Sequence, residues 1–317
     1  MATTRTETLN TFTTSTADVR HDDLVDSFFG SSPFWAGIKL KGTTKLRGGS
    51  EIHENFIYAG FNASSFGRGT TFGTDVTEFV EPMIFDFKGA YAPIVVDGFD
   101  AALNQGRQRV FDIVKATMEN GELSLVDDLS TQIFADGSGN AGLDVDGLAN
   151  AVSRSTAVSY GGVTRATTGA GAAIRAAVED TTGGALSYAA VNTVYGDTTI
   201  ANEVPDLIIT TQTLRNRIWE RSQPSERSQS GDDMRDIGFS GVRFNGATVV
   251  VDSHCPTGFL YLLNMKWWTL YAHSNWDFRL RGMFETHDQF SMVGQLIFIG
   301  NVVCRAPRFQ SVMSGLT

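Results

Sequence analysis

The sequence predicts an α+β fold, on three observations. A long run of helical period sits in the middle of the chain, from Gly106 to Phe134. A two-stranded hairpin pattern precedes it. Antiparallel strands joined by tight turns follow it, so helices and strands segregate instead of alternating, which argues against a doubly wound nucleotide-binding fold.

The helical run has Val110, Val114, Met118, Gly121, Leu125, Leu129 and Ile133 at steps of four and three, one apolar stripe on a 3.6-residue period. Glu119, Glu122, Asp127 and Asp128 fall off the stripe. At 1.5 Å per residue the run spans roughly 43 Å. No heptad extends it, so it reads as one long core helix and not as a coiled coil.

Taken from the start, residues 1–20 are Thr-rich and read as an extended arm. Asp22 to Phe29 reads as a short helix with acidic first turn, ended by Ser31-Ser32-Pro33. In residues 45–90, Ile52, Phe56 and Tyr58 share one strand parity, and Phe79, Met83, Phe85 and Phe87 share the parity of the returning arm. The Gly-rich stretch 62–75 lies between them as a tip. An isolated hairpin is marginal in water, so its aromatic face must rest on something. By pattern alone that is equally its own domain or a neighbouring subunit.

Tyr91 to Val96 reads as a strand and Gly98 to Leu103 as a helical turn or two. The long helix stops at Asp136-Gly137-Ser138-Gly139-Asn140. Leu143 to Val152 suggests a short helix, and residues 155–185 an irregular excursion. Leu186 to Tyr195 is helical in pattern, Leu207 to Thr210 a buried strand, and Gln212 to about Arg221 a helix. Residues 222–236 are polar and read as a loop. Val242 to Phe244 and Thr248 to Val251 flank Asn245-Gly246, a favoured tight-turn pair. Phe259 to Leu263 and Trp267 to His273 read as strands. Met292 to Ile299 and Val302 to Arg305 read as a further hairpin about Gly300-Asn301.

Length and charge bound the function. The 317 residues suffice for two domains and a real core. The balance of 25 Lys and Arg against 35 Asp and Glu, net −10, argues against tight nucleic-acid binding, which needs clustered cations. It leaves open a surface that DNA merely lies against. The first residues lack the apolar core of a secretory leader. The most apolar window, Phe259 to Ala272, is too short for a membrane span and carries Lys266. Cys255 and Cys304 are the two cysteines and read as reduced, buried thiols.

Chemical motifs are sparse. No GxxxxGK[ST] loop and no GxSxG elbow occurs. Asp136, Ser138 and Asn140 open like a calcium loop, but Ala141 and Gly147 stand where Gly and Glu are needed. His254, Cys255, His273, His287 and Cys304 match no zinc spacing. The Asp127-Asp128 pair has the residue types for acid–base work, but two acids on one helix are more often solvated or paired. Trp267, Trp268 and Trp276 read as core and interface mass. The expectation is a non-enzyme with no catalytic residue, no cofactor and no metal.

Hairpin, long helix and C-terminal sheet, in this order, resemble the major capsid proteins of tailed phages with the Hong Kong 97-type fold, over almost the whole chain. Gly106 to Gly137 is similar to the family's spine helix and the loop that ends it. Gly161-Gly162-Val163-Thr164-Arg165-Ala166-Thr167 and Pro205-Asp206-Leu207-Ile208-Ile209-Thr210-Thr211 resemble segments of its A-domain. So do Gly238-Phe239, Phe244-Asn245-Gly246-Ala247 and Val249-Val250-Val251-Asp252. Leu263-Asn264-Met265-Lys266 and Gln295 to Asn301 complete the set. Each is weak alone; their order and spacing give them weight.

The resemblance implies an N-terminal arm (1–44), an extended E-loop (45–90) lying across a neighbouring subunit, and a P-domain with the spine helix (91–150). It further implies an A-domain (151–273) and a return to the P-domain sheet (274–317). It resolves the hairpin in favour of a neighbour, with Phe66, Arg68, Phe72, Phe79, Met83, Phe85 and Phe87 as subunit-interface residues. It implies self-assembly through pentamers and hexamers into an icosahedral phage head enclosing double-stranded DNA without sequence-specific binding. A separate scaffolding protein and a portal are the implied partners, because the roughly 44 residues before the hairpin are too few for a fused scaffold. The place implied is the virion, assembled in the host cytoplasm, with no membrane involved. Some relatives join an E-loop Lys to an Asn of another subunit; here the tip has Arg68 and no Lys, so no such bond is expected. Two other roles compete: an encapsulin-type compartment shell, which keeps the fold, and a metal-dependent soluble enzyme using His254, Cys255 and His273. A tail or minor shell component is a third.

Overall fold

Ser32 and Pro33 open a helix that the sequence reading did not expect. The computed structural model describes residues 32–61, 63–71, 77–99, 113–222, 242–285, 287 and 289–317. The expected arm, the 22–29 helix, residues 100–112, most of the 222–236 loop and Phe72 lie outside the described residues. Helix α1 is Pro33–Lys41, with Pro33 at its first turn, where a missing N–H costs nothing. It buries Phe34, Trp35 and Ile38 completely. The chain then forms β1 (Thr43–Leu46), β2 (Glu51–Ile57), β3 (Val80–Asp86) and β4 (Lys88–Asp97).

Helix α2, Ile113–Gln132, lies within the long central run of helical period and has 20 residues, about 30 Å. Its stripe is as the sequence spaces it: Met118, Gly121, Leu125 and Leu129 are buried, and Ile133 follows. They lie on the face of β4 formed by Ala90, Ala92, Ile94 and Val96. Gly121 permits the close approach, since a Cβ there would stand 2.9 Å from Ile94 Cγ1.

Beyond α2 a single helical turn (Leu148–Ala151) replaces the helix expected over 143–152. The excursion that follows has a two-residue ribbon, β5 (Ser159–Tyr160) with β6 (Val163–Thr164), a turn at Gly169–Ala173, and β7 (Val178–Asp180). Next come α3 (Tyr188–Thr198), β8 (Leu207–Thr210) and α4 (Gln212–Ser222). The chain closes with β9 (Val242–Phe244), β10 (Ala247–Val251), β11 (Leu260–Leu263), β12 (Trp268–His273), β13 (Arg279–Glu285), β14 (Ser291–Cys304) and β15 (Ser311–Met313). Asn245 and Gly246 turn the β9–β10 hairpin with φ of 47° and 92°, the doubly positive geometry that Asn-Gly favours.

The strands form two large sheets. One has five strands, in the order β1-β12-β14-β13 with β4 also paired to β14. The other has six, in the order β7-β15-β11-β8-β10-β9. Leu207, Ile209, Val250, Tyr261 and Leu263 of the six-stranded sheet join the core that also holds α1, α2 and the five-stranded sheet. Ile208, Val249, Leu260 and Leu262 pack the other way, with Val191 and Val194 of α3 and Leu214 and Ile218 of α4. Strands buried on both faces read as unbroken apolar runs, as these do.

Two expectations fail on strand pairing. Gly300-Asn301 makes no turn: β14 runs as one strand of 14 residues, pairing Gly300 with both Lys88 and Ala272. Gly300 is a packing glycine, because a Cβ would sit 2.6 Å from Tyr271 O and 2.7 Å from the Phe298 ring. Asn301 is fully buried and uses its whole amide, accepting from Asp146 N and Val302 N and donating to Asp86 O and Asp146 Oδ2. The boundary at 273/274 also divides the sheets wrongly. Strand β12 lies before it yet pairs with β14, and β15 lies after it yet pairs with β11.

Candidate assembly surfaces

The β2–β3 hairpin has two unlike faces, set by its register. Ile52 pairs with Phe85, Glu54 with Met83 and Phe56 with Glu81. Ile52, Phe56, Met83 and Phe85 are buried in the chain's own core. Phe85 meets the Tyr160 ring at 5.0 Å, Gly161 fits against Met83 and Phe85, and Ile84 N donates to Gly161 O at 2.9 Å. Glu54, on the same face, accepts from Tyr271 Oη and from Arg305 Nη2, and Arg305 also donates to Tyr271 Oη at 2.7 Å. The expectation that Met83 and Phe85 face a neighbouring subunit is therefore corrected: their surface is covered from within. Phe87 is half-buried against the same core.

The opposite face and the tip stand open. Ile57, Val80 and Ile84 on the outer face are exposed, with Glu51 and Asp86 at its base. At the tip, Phe66 is 70% exposed, Arg68 is exposed, and Phe61 and Phe79 are exposed with their rings 5.1 Å apart.

A second open surface is the outer face of the five-stranded sheet, which the sequence reading missed. Across β4, β14 and β13 the register aligns Tyr91, Ile297 and Arg279 in one row. Pro93, Gln295 and Arg281 form the next, and Val95, Val293 and Phe284 the third. Tyr91 is 69% exposed, and Val95 and Phe284 are more than half exposed. The Arg281 guanidinium lies 5.5 Å from the Phe284 ring centroid. The available signal was the run Tyr91-Ala92-Pro93-Ile94-Val95-Val96, apolar at both parities. Such a strand expects cover on both faces, and α2 covers one.

The other candidate groups are held in ordinary structural roles. His254 lies between Asp127 and Asp252, at 2.9 and 3.3 Å from their Oδ1 atoms. His273 Nδ1 accepts from Asn275 N. Burial pushes both the Cys255 and Cys304 thiols up to about 12, which keeps them protonated and unreactive. Among the described residues no group of three or more His, Cys, Asp and Glu side chains is placed to hold a metal ion. Asp136 accepts from Ser138 Oγ and N, hydrogen bonds that hold its carboxyl below the usual range, while Asn140 donates to Asp144. Asp128 is raised by burial first and by Asp144 next, and it accepts from Gln132. Trp268 packs edge-on against Phe34 at 5.2 Å and Trp267 stacks on Phe309 at 5.4 Å. No helix among the described residues is long and apolar enough to cross a membrane.

No protein-family model and no curated protein matches the chain by sequence. Solved structures do match by shape. The capsid asymmetric unit of cyanophage A-1(L) aligns with TM-score 0.70 and 15% identity, over 90% of this chain and 93% of that one. The holo encapsulin complex of Synechococcus elongatus aligns at TM-score 0.61 and 10% identity, over 90% and 88%. Mycobacterium phage Adephagia aligns at TM-score 0.54 and 12% identity, over 89% of each chain. At these identities the likeness is one of fold, and the chain has the Hong Kong 97-type capsid fold.

Proposed function

We propose that this chain is a structural shell protein, the major capsid protein of a tailed-phage head. In this reading its copies close through pentamers and hexamers around double-stranded DNA. The observation that carries the reading is the pair of apolar surfaces a single chain leaves open: the outer face and tip of the hairpin, and the outer face of the five-stranded sheet. A soluble monomer seldom leaves such extended apolar surface bare. The hairpin of one copy lies across the sheet of the next, with Phe61, Phe66, Ile57 and Ile84 set against Tyr91, Val95 and Phe284. Heterologous contacts of this kind close into rings. Burial supplies about 25 cal/mol per Å², and many weak contacts reinforce each other in a closed shell. A net charge of −10 suits an inner wall that packaged DNA does not stick to. A separate scaffolding protein and a portal belong to this proposal, as does assembly in the host cytoplasm.

The encapsulin likeness supports a second reading, a compartment shell that holds protein cargo. Electron microscopy and light scattering on the purified chain test the shared part. Closed particles of megadalton mass are expected, alone or after adding the products of neighbouring genes; uniform monomers or dimers under both conditions would refute it. Nuclease-resistant DNA in particles from the native source separates the head from the compartment.

A further inference from the structure

His254 lies where the two halves of the fold meet. Strand β10 ends at Val251, and the loop Asp252 to Cys255 turns back under the C-terminal half of α2. There His254 Nε2 stands 2.9 Å from Asp127 Oδ1 on α2, and Nδ1 stands 3.3 Å from Asp252 Oδ1. Asp252 is buried and anchored independently, since it accepts from His254 N at 2.9 Å and from Ser32 Oγ ahead of α1. Asp127 is exposed, with its side chain 76% accessible. Close by, Phe134 packs on Tyr261 at 5.9 Å, so the same junction joins the end of α2 to the six-stranded sheet.

A carboxylate oxygen only accepts. With one near each ring nitrogen, only the imidazolium form can donate to both. A neutral imidazole has one N–H; with it on Nε2, the Nδ1 lone pair faces Asp252 Oδ1 and has Ser253 Oγ, 3.4 Å away, as a long donor. The charged groups facing the ring are Asp127 from α2 and Asp252 from its own loop; Ser253 and Ser32 bring neutral hydroxyls, and Asp128 is engaged by Gln132.

We propose that His254 is a proton-operated clasp that ties the long helix to the six-stranded sheet, closed when the ring is charged and released when it is neutral. Burial alone would lower the basicity of His254, but the hydrogen bonds and charges of Asp127 and Asp252 outweigh it, and its pKa is raised above 6.5. A raised histidine contributes stability that is fully present below its unfolded value of about 6.5 and is lost as pH rises through the folded value. The device belongs to the single chain and does not rest on the shell reading.

The test compares wild type with Asp127→Asn and His254→Asn by thermal unfolding and by hydrogen-exchange mass spectrometry, between pH 5 and pH 9. Exchange is corrected for its intrinsic pH dependence. Wild type should unfold a few degrees above Asp127→Asn at pH 5.5, and the gap should close by pH 8.5. Protection of the 252–255 amides should fall over the same interval in wild type and stay flat in both variants. Asp127 is on the surface, so its variant folds, as circular dichroism would verify. A gap independent of pH, or equal protection of the loop in wild type at both ends of the range, would overturn the clasp whether or not the protein forms shells.

Discussion

Arg165 shows how one residue can hold a segment that has almost no secondary structure. It is fully buried and donates to the carbonyls of Asn150, Ala151, Val158 and Ile174, with its guanidinium 5.5 Å from the Tyr160 ring. These carbonyls come from the helical turn Leu148–Ala151 and from two places in the excursion that follows it, so Arg165 does for them what a ladder does for a sheet. Burial lowers its pKa, yet an arginine starts high enough to stay charged. Arg165→Met should cost about 3 to 5 kcal/mol, because buried acceptors lose their donor, and urea unfolding would measure it. The segment was singled out in the sequence only through resemblance, since Thr, Gly and Ala carry no periodicity. Gly300-Asn301 failed for the converse reason. A Gly-Asn pair is a turn signal, but here Gly relieves a clash and Asn fills a buried hydrogen-bond site, and neither cause is local in sequence.

At the scale of elements, legibility follows from whether the cause is local. Asn245-Gly246 fixes its own hairpin through backbone sterics, and the stripe on α2 needs only 3.6-residue spacing. The attachment of the β2–β3 hairpin is not local. Its parity was legible, but which face meets the body depends on Tyr160, Gly161, Tyr271 and Arg305, 75 or more residues downstream of Phe85 and Glu54. Glu54 is the polar half of that attachment, mostly shielded, with Arg305 partly exposed. Glu54→Ala should therefore cost only about 1 kcal/mol of global stability. Its main effect should be local: hydrogen exchange in Glu51–Ile57 and Val80–Asp86 should speed up several-fold while α2 keeps its protection. Equal acceleration in both places would mean that the ion pair supports the whole fold and not the angle of the hairpin.

For the whole molecule, the decisive feature is that its two open apolar surfaces differ in charge. The hairpin's outer face carries Glu51 and Asp86, whereas the outer sheet face carries Arg279 and Arg281. Copies with a net charge of −10 repel one another, so in the proposed shell a basic patch that receives an acidic element would set which surfaces meet. Apolar area supplies the affinity and charge supplies the choice. Two variants separate these roles in the proposed shell. Tyr91→Ser removes a large exposed ring from the sheet and should raise the protein concentration needed for assembly about tenfold, the equivalent of about 1.4 kcal/mol. Its own fold should be untouched, because the ring faces solvent. Arg281→Glu should slow assembly steeply at low salt and much less at 0.5 M salt, where charges are screened beyond a few ångströms. Light scattering against concentration and ionic strength reads both. If Arg281→Glu assembles like wild type at low salt, the hairpin does not lie on this face, and the sheet must be covered by something other than another copy.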